Sequence, residues 1–204
     1  MNDIEIRQNF HRKRLRRQHE DKKTLVINEL GLNHGECRAD IAVINGHIVG
    51  YEIKSDRDSL GRLDEQVKSY NTVFDRVSII VGERHSKSVQ ERVPEWWGLI
   101  LSCRGARGAV NFHTLRKAST NASVDPVSLA RLLWRNEAAE VLQQKGLPRK
   151  TIRQPRATLY QCMVEVLSTR ELRMTISEYL KKRRNWRCPE SLSLYDGSCQ
   201  PVAT

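Results

Sequence analysis

The residues CRADIAVINGHIVGYEIKS, 37–55, constrain this chain more than any other stretch. Two apolar runs, 37–44 and 47–54, meet at Asn45-Gly46, the strongest short-range signal for an antiparallel β-hairpin. Both runs carry charge where strands of this kind are normally apolar: Asp40 in the first, Glu52 and Lys54 in the second. A charge inside an apolar strand is costly to desolvate unless it is paired. Either the three neutralise one another, or a metal and a substrate complete the site.

Register decides between scatter and site. Glu52 and Lys54, two apart, project from the same face. A two-residue loop would pair Ile44 with His47 and Asp40 with Tyr51, leaving Glu52 on the face opposite Asp40. A three-residue loop Ile44-Asn45-Gly46, with Gly46 left-handed, pairs Val43 with His47 and Asp40 with Gly50, and puts all three charges on one face. Shared chemistry therefore requires the longer loop or an equivalent bulge.

Around the hairpin, 3–19 reads as a helix bearing Ile4, Ile6, Phe10 and Leu15, and 24–30 as a strand. A helix is expected over about 59–71, a buried strand at 77–82, a short helix at 86–93 and another strand at 97–103. Gly105, Gly108 and the polar run 119–123 mark a linker over 105–125. Beyond it the pattern is helical at 127–145, 156–168 and 170–184, a basic helical region over 126–188. The weakly periodic tail, 189–204, is expected to be partly disordered.

No run approaches the roughly 18 apolar residues of a membrane span, and the first residues are charged throughout, so the expectation is a cytoplasmic protein without a membrane partner. Five cysteines, an odd number without a CxxC pair, argue for reduced thiols rather than zinc or disulfides. The net charge of +11 is unevenly spread: +4 over 1–23, −2 over 24–104 and +9 over 105–204. An acid-bearing centre between basic segments suits a site that gathers a cation and holds a polyanion; a basic surface serving solubility is the other reading.

The pattern D(x11)ExK formed by Asp40, Glu52 and Lys54, set in a helix, three strands, a helix and a strand, resembles the PD-(D/E)XK nuclease superfamily. The string ELGLNHGECRADIAVINGHIVGYEIKSDRD also looks like a small bacterial and phage branch of it. The resemblance covers about 1–104 and departs in having Ala39 where the motif has Pro. It implies an α/β fold, a restriction-endonuclease-like α/β/α core with a central mixed sheet, here joined to a helical C-terminal region. It implies a metal-dependent nuclease hydrolysing DNA phosphodiester bonds, with Asp40 and Glu52 holding Mg²⁺ (or Mn²⁺), the Ile53 carbonyl as a further ligand, and Lys54 holding the attacking water. A Lys beside carboxylates is stabilised as a cation, which argues against its being the general base. The alternative is a nucleic-acid-binding module on the same fold without turnover.

Gln66 and Tyr70, four apart on one helix face, resemble a supporting QxxxY feature; Tyr70 fits plain core equally well. Glu29 is the preferred extra acid, with Glu36 and Glu5 open. His34, His85 and His113 read as loop or surface residues, and Trp96-Trp97 as packing rather than a base-stacking platform. The candidate DNA contacts are Arg57, Arg62, Tyr70 and the cations of the last helix: Arg173, Lys181, Lys182, Arg183 and Arg184. A homodimer is a further candidate assembly.

Overall fold

The Asn45-Gly46 hairpin lies within a six-stranded sheet in the computed structural model of the chain, which describes residues 1–183. Two helices, α1 (Asp3–Arg14) and α2 (Arg16–Glu20), come first. The strands β1 (Leu25–Leu32), β2 (Cys37–Ile44), β3 (Ile48–Lys54), β4 (Arg76–Gly82), β5 (Gly98–Arg104) and β6 (Val110–Arg116) lie side by side in chain order. β1, β2 and β3 are antiparallel neighbours, β3, β4 and β5 parallel, and β6 returns antiparallel on β5. Each parallel join needs a crossover, and α3 (Leu63–Val73) and α4 (Ser86–Arg92) supply the two.

The sheet is buried on both faces. On one, Ile6, Phe10 and Leu15 of the first helices pack on Ile41, Val43, Ile53, Ile80 and Ile100. Phe10 meets Tyr51 and Phe112 at ring separations of 5.0 and 5.3 Å. On the other, Tyr70, Phe74 and Trp97 join a core that runs on into five C-terminal helices. These are α5 (Pro126–Ala130), α6 (Arg135–Gln144), α7 (Arg149–Ile152), α8 (Arg156–Val166) and α9 (Thr169–Lys182). The fold is thus a mixed α/β fold with an open, six-stranded mixed sheet and C-terminal helices. Among the described residues no helix is long and apolar enough to cross a membrane.

Three expectations are corrected. The stretch expected as a linker supplies β6, after a turn in which Gly108 has a φ of +77° and Gly105 N–H donates to the Ala109 carbonyl. The slip of β5–β6 register at Leu99/Ile100 exposes Leu115 and breaks the alternation that would have signalled a strand. The rest of that stretch is strapped down: Asn121 is buried and donates to the Asn71 and Phe74 carbonyls, and Asp125 N–H reaches the Thr72 carbonyl. The helix expected over 3–19 breaks at Leu15, which turns inward to be buried. The one expected over 127–145 becomes α5 and α6, because Leu132 and Leu133 sink into the core between them and Glu137 caps the second start through the Trp134 N–H. The expected tail, 189–204, lies outside the described residues.

His11 generates a stability prediction. It is buried, with ring nitrogens 2.9 Å from His19 Nε2 and 2.8 Å from Asn28 Oδ1, and burial lowers its pKa to about 4. The folded state therefore resists a proton that the unfolded chain binds near pH 6.5. This contribution is complete above about pH 6.5 and is lost as pH falls toward about 4, to the extent of about 3 kcal/mol. Urea melts at pH 7, 6, 5 and 4.5 should show the decline, and His11→Gln should flatten it; equal slopes in both proteins would refute the assignment.

Candidate functional site

Strand pairing among β1, β2 and β3 breaks beside Asp40, and the candidate residues gather there. On β1 and β2, Asn28 pairs with Ile41 and Leu30 with Ala39, but between them Glu29 takes a φ of +56°. Leu25 and Ile27 face the α3 side, as do Leu30 and Leu32, so the alternation slips by one residue at Glu29. It slips equally on β2 between Ala39 and Ala42, at Asp40. The β2–β3 ladder runs from Ile44↔Ile48 to Ile41↔Tyr51 and goes no further. Past that point the Asp40 side chain stands in for the missing backbone acceptor, taking the Ile53 N–H on Oδ2 at 2.7 Å.

The loop joining β2 and β3 has three residues, Asn45-Gly46-His47, with Gly46 at a φ of +97°. It starts one residue later than the loop expected from sequence and keeps the same parity, but the slip at Asp40 takes that carboxylate off the face shared by Glu52 and Lys54, which corrects the expectation of one common face. Glu52 and Lys54 project toward α3. Asp40 lies at the seam between β2 and β3 rather than squarely on their face, and is gripped from the α1 layer by Arg7. That guanidinium contacts Asp40 Oδ1 at 2.9 Å, Glu29 Oε1 at 2.5 Å and Asp3 Oδ2 at 3.2 Å.

Glu52 is buried, its side chain only 1% exposed, and well supplied with donors. Lys54 Nζ lies 2.9 Å from Oε1, Gln66 Nε2 donates to the same oxygen at 2.5 Å, and the Tyr70 hydroxyl donates to Oε2. The spacing of Gln66 and Tyr70 on α3 accounts for this: four residues apart, they reach one carboxylate from one helix face. Burial and the charges of Glu52 and Asp40 push the Tyr70 phenol up, so it stays protonated and donates. Asp40 is pushed well above the usual carboxylate range, first by burial and then by the Glu52 charge, while Arg7 pulls it back. The two carboxylates therefore feel each other across the seam. Because a strand residue's N–H and C=O point to the same side, the Ile53 carbonyl also faces this seam.

Donor chemistry fits a hard divalent cation in part. A carboxylate offers about four acceptor positions. Among the described residues three are used on Glu52 and two on Asp40. Both keep capacity, and Mg²⁺ commonly binds one or two carboxylates while retaining waters. No group of three or more His, Cys, Asp or Glu is arranged to hold a metal among the described residues. Glu29, expected as a ligand, is committed to Arg7.

Several expected DNA contacts are corrected. Tyr70 is fully buried. Arg173 pairs with buried Asp75 at 2.8 Å. Arg183 is buried against Glu137, its Nε 2.8 Å from Oε1, and its guanidinium covers the Trp134 ring at 4.2 Å. Lys182 stays exposed, its ammonium 5.2 Å over the Tyr179 ring, and its expected role is untouched by this contact. Arg57 and Arg62 stay exposed in the β3–α3 connection, Lys181 is half-buried, and Arg184 lies outside the described residues. Trp97 is core, its Nε1 donating to Asn71 Oδ1 at 2.9 Å. Sequence reasoning missed Arg7, although Asp3 and Arg7 at an i,i+4 spacing flanking buried Ile6 offered a signal.

Comparison with known proteins then settles the family. The model of the family described as Bacteriophage P4 protein cII matches residues 4–189. The chain belongs to this family. It is similar to "Protein cII" of Enterobacteria phage P4, at 30% identity over 122 residues that make up 60% of this chain and 46% of that protein. The match thus spans about half the relative's length. No solved structure matches. Family and relative correct the resemblance to PD-(D/E)XK nucleases: three motif residues on a hairpin are too short a pattern to carry membership, since strands tied by a Glu–Lys pair produce it too.

Tyr70→Phe should destabilise the fold by about 1–3 kcal/mol, the cost of leaving a buried carboxylate oxygen without its donor. Denaturant midpoints of the two proteins check this; an unchanged midpoint would mean that Glu52 does not depend on the phenol.

Proposed function

We propose that this chain is a metal-dependent phosphodiesterase acting on DNA, centred on Asp40, Glu52 and Lys54. What supports the reading is the meeting of two carboxylates at the β2–β3 seam: burial first, and then the Glu52 charge, raise the Asp40 carboxyl against the pull of Arg7, so the two acids lie close enough to feel each other. Asp40, Glu52 and the Ile53 carbonyl would hold Mg²⁺ or Mn²⁺. Such a cation acidifies a coordinated water and offsets charge on a phosphate. Lys54, 2.9 Å from Glu52, places an ammonium where charge develops on a phosphate oxygen. Gln66 and Tyr70 hold the Glu52 carboxylate in one orientation. Exposed Arg57 and Arg62 flank the end of β3 and suit phosphate contacts. A restriction-endonuclease-like core, as an architecture and not a family membership, belongs to this reading; the helix, three strands, helix, strand order supports it.

A second reading, a nucleic-acid-binding module without turnover, is favoured by one observation: Arg7 already occupies Asp40 at 2.9 Å. Cleavage of labelled DNA with Mg²⁺, Mn²⁺ or EDTA separates the two. The enzyme reading expects cation-dependent cleavage that falls at least about 100-fold in Asp40→Ala and in Lys54→Ala, with binding in EDTA retained. Cleavage that survives Asp40→Ala, or persists in EDTA, would sink it. No cleavage of single-stranded, duplex or branched DNA by the unmutated protein would move the assignment to the binding module.

A further inference from the structure

A different surface carries its own chemistry. At the corner where α7 meets α8, Arg149, Lys150, Arg153 and Arg156 are all exposed, and no carboxylate pairs with any of them among the described residues. Arg135 ties this corner to α6 by donating to the Gln154 carbonyl at 3.1 Å. Beside it opens a groove of about 300 Å³ whose walls include Arg131, Thr158, Tyr160 and Gln161. Arg131 donates to Asn33 Oδ1 at 2.8 Å, which brings the β1–β2 turn to the rim. In that turn Asn33 and His34 adopt φ values of +45° and +61°, which present His34 outward. The imidazole lies on the Tyr160 ring, centroids 5.6 Å apart and planes 27° from parallel. Tyr160 is itself buried and anchored through its hydroxyl to the Leu133 carbonyl at 2.9 Å. One face of His34 is therefore backed by a fixed ring while the residue as a whole stays exposed.

We propose that this groove binds single-stranded nucleic acid, with a base stacked on His34 and phosphates held by Arg131, Arg156, Arg153 and Lys150. A flat aromatic face among unpaired cations is the arrangement that single strands use, because a single strand presents both an open base face and a dense phosphate charge. A duplex hides its base faces in the stack. Burial, and then the neighbouring Arg156 and Arg131 charges, lower the His34 pKa, which favours the neutral ring for stacking. A membrane surface fits less well: none of the exposed large apolar side chains, Ile4, Leu115, Trp134, Val166 and Met174, lines the groove. The inference stands apart from the carboxylate seam and survives if that seam proves inert.

The test is fluorescence anisotropy of a labelled oligothymidine of roughly 15 nucleotides, with the full chain in EDTA so that cleavage plays no part. Lys150→Glu/Arg153→Glu should weaken binding at least about tenfold and lower the slope of log K against log salt by about 1–2. His34→Ala should weaken it about 5- to 100-fold at an unchanged salt slope, and His34→Phe should restore it. Lys22→Glu/Lys23→Glu, the same charge change on an exposed site after α2, should leave affinity within about twofold once salt is physiological. Equal weakening by that control pair would show diffuse attraction to a basic protein and overturn the site. So would a duplex bound as tightly as the single strand, or a His34→Ala protein of unchanged affinity. Circular dichroism of each variant distinguishes lost contacts from lost fold.

Discussion

The hydrogen bond from the Ile53 N–H to Asp40 Oδ2, at 2.7 Å, is the point on which the central strands turn. Where β2 leaves β3, two backbone edges would lose their partners inside a protein, and a buried amide without an acceptor costs about 1–3 kcal/mol. Asp40 supplies the acceptor from its side chain. Having done so it brings a charge into the seam, and that charge needs Arg7, which reaches it from α1 and draws in Glu29 and Asp3. The paired slip of β1 and β2 at Glu29 and Asp40 lets both strands change the face they bury without changing register. One broken ladder thus accounts for an unusual backbone at Glu29, an inward arginine on α1 and an acid-rich seam between two layers.

The other half of the site depends on how closely α3 approaches the sheet. Gly50 on β3 sits under Phe74, where a Cβ would come within 2.8 Å of the ring; any side chain there would lift the end of the helix. Asp75 follows, exchanging hydrogen bonds with Ile48 through both its backbone and its carboxylate. These contacts fix the far end of α3, and the helix then delivers Tyr70 and Gln66 to Glu52. Arg173 of α9 neutralises Asp75, so the C-terminal layer helps to hold the same strand that carries Glu52 and Lys54.

What could be read in the sequence was whatever depends on period and parity. The hairpin, the shared face of Glu52 and Lys54, and the alternation of helices and strands to residue 104 follow from spacing alone. The features that escaped are set by contacts distant in sequence. β6 pairs across a bulge that spoils its alternation, and Arg7 is one of three arginines on α1 until Asp40 and Glu29 arrive from strands more than twenty residues away. The last helix misled for a related reason. Its apolar stripe shows which side is buried, but nothing in the pattern tells that Arg173 and Arg183, at the stripe's edge, would be drawn in by the buried acids Asp75 and Glu137. Excess cations on a helix are available to a polyanion only after the internal acids have taken theirs.

Electrostatics also divides the molecule's two charged places by kind. At the seam, acids outnumber cations and everything is partly desolvated, so each charge depends strongly on its neighbours. A cation entering there must compete with Arg7 for Asp40. Its affinity is lowered by whatever Arg7 loses, unless the guanidinium finds a new partner among Glu29, Asp3 or a bound phosphate. At the α7–α8 corner the charges are all of one sign and exposed; charges of that kind would hold a polyanion by releasing its counterions and leave the fold unaffected when bare. The seam can therefore change its protonation and partners only by disturbing α1 and β2, whereas the corner can load and unload without structural consequence. A protein in which the first of these does chemistry and the second does capture would keep its catalytic geometry independent of how tightly it holds the strand.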